Sequence, residues 1–184
     1  MLHHKGTVTI ETDRLILRRF AMEDAEAMFR RWASDDEVTK HLTWPTHTSV
    51  EISKMVLTDW TSHYPEPDFY NWAIVLKENG PEPIGNISVV GINKEVDAAT
   101  MGYCMSRAHW GKGVMTEALT AVIDFFFDEV GFNRIDADHA VDNPASGRVM
   151  EKSGMRYEGT HRQAVRTNCG IVDIKKWAIL KSDR

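Results

Sequence analysis

The chain has 184 residues, 42% hydrophobic and 27% charged, the size and composition of one soluble globular domain with a full core. Its net charge of −5 comes with no basic patch, which argues against direct nucleic-acid binding and tolerates an amine-bearing partner. No apolar run approaches the roughly 20 residues of a membrane span and the N-terminus lacks an apolar signal core, so a cytoplasmic protein without membrane contact is expected. Cys104 and Cys169 show neither metal nor redox spacing; they read as reduced thiols, and no metal is expected.

Residues 1–12 can be read as a flexible N-terminal extension, with "RLILRRF", Arg14 to Phe20, as the first strand. "EDAEAMFRRWAS" predicts a helix with Ala25, Met28, Phe29 and Trp32 on one face. "KHLTWPTHT" is a loop, since Pro45 lacks a donor and biases Trp44 toward extended geometry. Thr48 and Glu51 have capping-box spacing and open a second helix. "FYNWAIVLK" and "PIGNISVVGIN" are strands across the turn "ENGPE", and "ATMGYCMS" is another. A helix from about Val114 to Val130 puts Met115, Leu119, Val122, Phe126 and Val130 in one stripe, with Gly131 as a left-handed cap and Phe132 as its apolar contact. "RIDADHAV" is a strand and "NPASGRVMEKSG" a short helix, capped by Asn143, begun by Pro144 and ended by Gly154. "RYEGTHRQ" and "IVDIKKWAIL" close the chain as strands. With no repeat or linker, residues 1–184 read as a single mixed α/β domain.

The stretch "HWGKGVMTEAL" places Gly111 and Gly113 after a strand and at the mouth of an apolar helix. A helix start offers unpaired N–H groups and a favourable dipole to an anion, and glycines reach positive φ without blocking its approach. The triplet alone leaves two readings open, an anion site and a turn that merely starts a helix. Neither G-x-x-x-x-G-K-[ST] nor G-x-G-x-x-G is present, which disfavours ATP or NAD.

Taken together, "TDRLILRRF", "EDAEAMF", "LTWP", "IGNISV", "MGY", "WGKG", "TEA" and "NPAS" resemble the GNAT family of acetyl-CoA-dependent N-acyltransferases. The nearer likeness is to its RimJ/RimL-type branch, which includes ribosomal-protein N-terminal acetyltransferases. That resemblance implies an α/β domain with a mixed sheet of about six to seven strands, splayed between the fourth and fifth, and about four helices. It implies acetyl-CoA as cosubstrate, its pyrophosphate on the backbone of Trp110, Gly111, Lys112, Gly113, Val114, Met115 and Thr116. The pantetheine arm would run between the splayed strands along Met105, Ser106 and Arg107. Asn143 would bond near that arm, and Ser146 would meet the departing thiolate. Asn143 can equally be a simple cap and Ser146 an ordinary first-turn serine.

Three departures stand out. Met115 replaces a small residue of the loop, Thr100 occupies a position where many branch members carry Glu, and Met150 stands where other GNAT enzymes have a tyrosine acid. His139 and Glu158 remain as candidate bases, each with a structural alternative. Trp44, His41 and His47 form either an amine pocket or a core corner, and Cys104 is the candidate for a covalent route but has no evident base. The acceptor would be a primary amine on a protein N-terminus or a small molecule, and a homodimer is compatible with the pattern. At pH 7 freeing an α-amine of its proton costs about 1 kcal/mol against about 4.6 for a lysine, so a site short of a base favours the α-amine. The competing reading is a non-catalytic acyl-CoA-binding protein, to which Thr100 and Met115 would point.

Overall fold

The computed structural model describes residues 2–184. Eight strands form one sheet in the order β1-β2-β3-β4-β5-β6-β8-β7. They are β1 (Ile10–Glu11), β2 (Leu15–Arg18), β3 (Asn71–Leu76), β4 (Pro83–Asn93), β5 (Ala98–Met105), β6 (Arg134–Ala140), β7 (Arg156–Thr167) and β8 (Gly170–Leu180). Seven match the expected strands. The eighth, β1, lies in the segment read as an extension, and that reading is corrected: β1 pairs with β2, and Leu2, Val8 and Ile10 pack on the core. The His3 N–H donates to the Val130 carbonyl at 2.8 Å, fixing the segment further. Met1 lies outside the described residues.

The helices are α1 (Ala25–Met28), α2 (Asp36–Thr39), α3 (Val50–His63), α4 (Val114–Phe125) and α5 (Pro144–Lys152). A π turn at Phe29–Ala33 follows α1 and leaves Phe29 half-buried, while Met28 and Trp32 are in the core. The short α2 was not expected; Asp35 caps it by accepting from the Glu37 N–H at 3.0 Å. The expected box of Thr48 and Glu51 is not formed. Ser49 occupies the cap position without a side-chain bond, and Glu51 pairs with Lys54 on the helix surface. The stripe of α4 is buried as expected, a π turn at Phe126–Val130 extends it, and Gly131 ends it at φ 91°.

Strand alternation divides the core into two layers. Trp72, Ile74 and Met105 face α4, whereas Ala73 and Cys104 face Trp32 and Leu57. Strands β5 and β6 run parallel but pair only from Ala98–Met101 to Arg134–Ala137. Beyond that the two strands continue to Met105 and Ala140 without pairing, so the sheet splays there, between the fourth and fifth of the expected strands. No helix among the described residues is long and apolar enough to cross a membrane.

Candidate active site

At the mouth of the splay the glycine loop opens α4. Gly111 and Gly113 take φ of 72° and 73°, a left-handed geometry that costs any other residue type energy. The N–H groups of Val114, Met115 and Thr116 begin the helix and have no intrahelical acceptor. The loop is clamped from the turn between β1 and β2. Arg14 Nη1 donates to the Lys112 carbonyl at 3.0 Å, and Arg14 Nε donates to Glu117 Oε2 at 2.6 Å. The Thr12 hydroxyl and the Arg14 N–H both donate to Glu117 Oε1. Partial burial works to raise the Glu117 carboxyl, but these bonds win and hold it below the usual range. Hence "TDR" and "TEA", far apart in the chain, form one joint. Arg14→Ala is expected to raise KM for acetyl-CoA about fivefold, the worth of one net hydrogen bond, with kcat nearly unchanged in steady-state kinetics.

A cavity of 590 Å³ lies beneath the loop, bounded by Gly111, Gly113, Thr116, the end of β5 and the first turn of α5. Lys40, Arg148 and Lys152 line it against one carboxylate, Glu37. The sequence reading passed over these three cations, although Arg148 and Lys152 are spaced to share one helix face. Met115 is buried at 5% exposure within the core, so its size does not fill the loop.

Of the three expected arm contacts, Met105 lines this cavity, while Ser106 and Arg107 do not. The Ser106 N–H donates to the Ile84 carbonyl at 2.8 Å, and the Arg107 guanidinium pairs with Asp35. Trp110 lays its indole N–H on the Met105 carbonyl at 2.8 Å. Because Ser106 N–H faces β4, alternation turns the N–H groups of Tyr103 and Met105 into the gap. Lys112 keeps its side chain outside the cavity lining and contributes its carbonyl to the clamp.

A second cavity, of 440 Å³, shares His41, Leu42, Tyr103, Cys104, Asn143 and Ser146 with the first. At this junction Asn143 caps α5, its Oδ1 accepting from the Ser146 N–H at 3.4 Å. Its Nδ2 makes no hydrogen bond among the described residues. The Tyr103 hydroxyl lies 2.9 Å from Ser146 Oγ, where either oxygen can donate, and 3.2 Å from the Ser146 carbonyl, which can only accept. Burial pushes the Tyr103 phenol well above its ordinary value, so it stays protonated. With Met150 in the core, a tyrosine reaches the serine from β5 instead. Tyr103 stands within "MGY" in the sequence, but its meeting with Ser146 is set by how β5 packs against the first turn of α5, which no local pattern announces.

The candidate bases fare differently. Glu158 is not brought to the site: it makes a bidentate ion pair with Arg134, which holds its carboxyl below the usual range, and it lines neither cavity. His139 reaches the second cavity wall, but its ring is wedged under α5, where a Cβ on Gly147 would come within 2.6 Å of Nε2. Its Nδ1 bonds the Ala140 carbonyl at 2.8 Å, and burial lowers its pKa. Thr100 donates to Asp136 at 2.9 Å. The carboxylate that does line the second cavity is Asp138, paired with Lys176 at 2.6 Å.

Cys104 is no activated nucleophile. Its thiol donates to Asn86 Oδ1 at 2.9 Å, and burial pushes its pKa up to about 12, the reverse of what attack requires. Trp44 and His41 line the second cavity, whereas His47 is buried against Ser53 and serves the packing. The Trp44 loop is held by the β7–β8 turn, where Asn168 Nδ2 donates to the carbonyls of Thr39 and Trp44, each at 2.9 Å.

Comparison with known proteins converges with this geometry. Residues 14–156 match the family described as Acetyltransferase (GNAT) domain. The Bacillus subtilis (strain 168) N-acetyltransferase YoaA is 33% identical over 172 residues, covering 94% of this chain and 96% of that one. The ribosomal-protein-serine acetyltransferase of Escherichia coli (strain K12) is 27% identical over 137 residues, covering 74% and 75%. Among solved structures, RimL, a ribosomal L7/L12 α-N-protein acetyltransferase in complex with coenzyme A, superposes with a TM-score of 0.83 at 22% identity, covering 94% and 98%. That last likeness is one of fold.

Proposed function

Given that the chain belongs to the GNAT acetyltransferase family, we propose that it transfers an acetyl group from acetyl-CoA to a primary amine, foremost a protein N-terminal α-amine. The observation that carries the reading is the pair of cavities of opposite character that meet at Tyr103, Asn143 and Ser146. One has a glycine-opened helix start and three cations, which suit a polyphosphorylated ligand. The other is lined by aromatic rings, with Asp138 as its carboxylate. Nothing lies within 4 Å of a Cβ built on Gly111, so the space above the loop is free for an anion.

When bound, acetyl-CoA supplies an activated thioester. The chain's own groups then have separable tasks. Loop N–H groups from Gly111 to Thr116 hold phosphate, and the splayed edge of β5 orients the arm. The N–H groups of Tyr103 and Met105 face the gap and stabilise negative charge on the acetyl oxygen. Ser146 donates a hydrogen bond to the departing sulfur, its hydroxyl oriented by Tyr103. Direct attack within a ternary complex is favoured, since Cys104 is protonated and bonded to Asn86. The relative named as a ribosomal-protein-serine acetyltransferase supports a protein amine as acceptor, and two free thiols suit a reducing cytoplasm.

Binding of coenzyme A is the first test. At 100 times Kd it should add about 2.7 kcal/mol of stability, a Tm increase of about 5–10 °C for a chain of this size. No shift at millimolar coenzyme A would refute the reading of the loop.

A further inference from the structure

The second cavity says more about the acceptor than that it is an amine. Its walls carry Trp44, Trp60, Phe69 and Tyr70, and its floor the amides of Asn71 and Asn86. Asn86 is engaged by Cys104, whereas Asn71, only 3% exposed, has a buried Oδ1 with no partner among the described residues. A buried amide oxygen left unbonded costs free energy, and a turn of the Asn71 side chain toward the cavity it lines would satisfy it with a ligand N–H.

The charges are equally telling. Among the described residues no lysine or arginine lines the cavity. Lys176, on the neighbouring strand, is committed to Asp138, and Lys175 lies over the Tyr157 ring at 6.0 Å. His41 and His139 also reach the wall, and burial lowers the pKa of both, which disfavours their cationic form. An acceptor that brought its own carboxylate or phosphate would therefore bury an uncompensated charge. The same wall offers no strong base: Glu158 is elsewhere, and Asp138 is already paired. An amine of low intrinsic pKa fits that lack, which an α-amine satisfies at about 7.8 and an alkyl amine at about 10.4 does not.

Resting on the acetyl-transfer reading above, we infer that the acceptor is an α-amine on an apolar or aromatic residue whose own carboxyl is blocked as an amide, with Asn71 bonding that amide. Two sources share this chemistry, the N-terminus of a peptide and a free amino-acid amide. Free amino acids, acidic N-termini and polyamines fall outside it.

The test measures coenzyme A release with acetyl-CoA saturating at pH 7. Phenylalaninamide should exceed phenylalanine in kcat/KM by about 100-fold, reflecting the unpaired buried carboxylate. A peptide beginning with Phe should exceed the same peptide beginning with Asp by a similar factor. The ratio of the Phe peptide to phenylalaninamide then separates the two sources: well above one for a protein N-terminus, one or less for a small amide. Asn71→Ala should lower kcat/KM for phenylalaninamide about tenfold and leave KM for acetyl-CoA unchanged; its side chain makes no bond that the fold would lose. Equal turnover of phenylalanine, or a preference for the Asp peptide, spermidine or lysine, overturns the inference while leaving acetyl transfer intact. If no amine releases coenzyme A from a protein that coenzyme A stabilises, acetyl transfer itself fails, and this assignment with it.

Discussion

Replacing Ser146 with alanine should lower kcat about 100-fold while KM for acetyl-CoA moves less than about threefold. The serine sits at the junction of the two cavities, and its hydroxyl bonds only Tyr103 among the described residues. On the proposed reading the hydroxyl meets the sulfur as charge develops, acting in the transition state more than in the ground state, so its loss should appear in kcat. The substitution is also clean, because Asn143 caps α5 through the Ser146 backbone N–H and not through the hydroxyl. Tyr103→Phe should cost about tenfold by releasing that hydroxyl from its orientation. The two losses should not multiply: in the alanine background the tyrosine change has nothing left to orient. A double variant slower by the full product of the two factors would show that Tyr103 acts independently of Ser146, and its orienting role would be abandoned.

The legible parts of this site are those written in short stretches of backbone chemistry. Gly111 and Gly113 before an apolar stripe, and Asn143 with Pro144 before Ser146, announce helix starts wherever they occur. The splay also followed from the resemblance, and the pairing of β5 with β6 stops at Met101 accordingly. What remained hidden depends on register. Glu158 falls where the β7–β8 register shifts between Tyr157 and Gly159, and a bulged residue is turned out of the ladder. There it meets Arg134, so the carboxylate expected at the site lies outside it. Asp138 was readable in principle, since "DAD" puts Asp136 and Asp138 on one face of β6, but which face looks into the cavity is a matter of packing. The two residues of β1 are too few to carry a periodic signal, and their pairing with β2 comes from the turn at Thr12.

Gly85→Ala should be the most damaging small substitution in the sheet. A Cβ at this position would lie 2.4 Å from the Cys104 carbonyl oxygen and 2.8 Å from the Met105 Cα, both backbone atoms that cannot swing aside. Gly85 faces Met105 in the β4–β5 ladder, so relief requires the strands to part at the point where β5 begins to line the cavity beneath the glycine loop. Overpacking of this kind costs about 3 kcal/mol or more, which lowers Tm by about 6–12 °C in a chain of this length. Activity should fall further than stability, because the same shift displaces the Met105 N–H that faces the gap. Gly91→Ala, in the same strand, is the control: the nearest atoms to its Cβ are on the Thr100 side chain at 3.9 Å, an ordinary contact. Thermal unfolding of the two variants side by side decides the matter. If Gly85→Ala melts within 2 °C or so of Gly91→Ala, the close approach of β4 to β5 is not what fixes Met105 at the mouth of the splay.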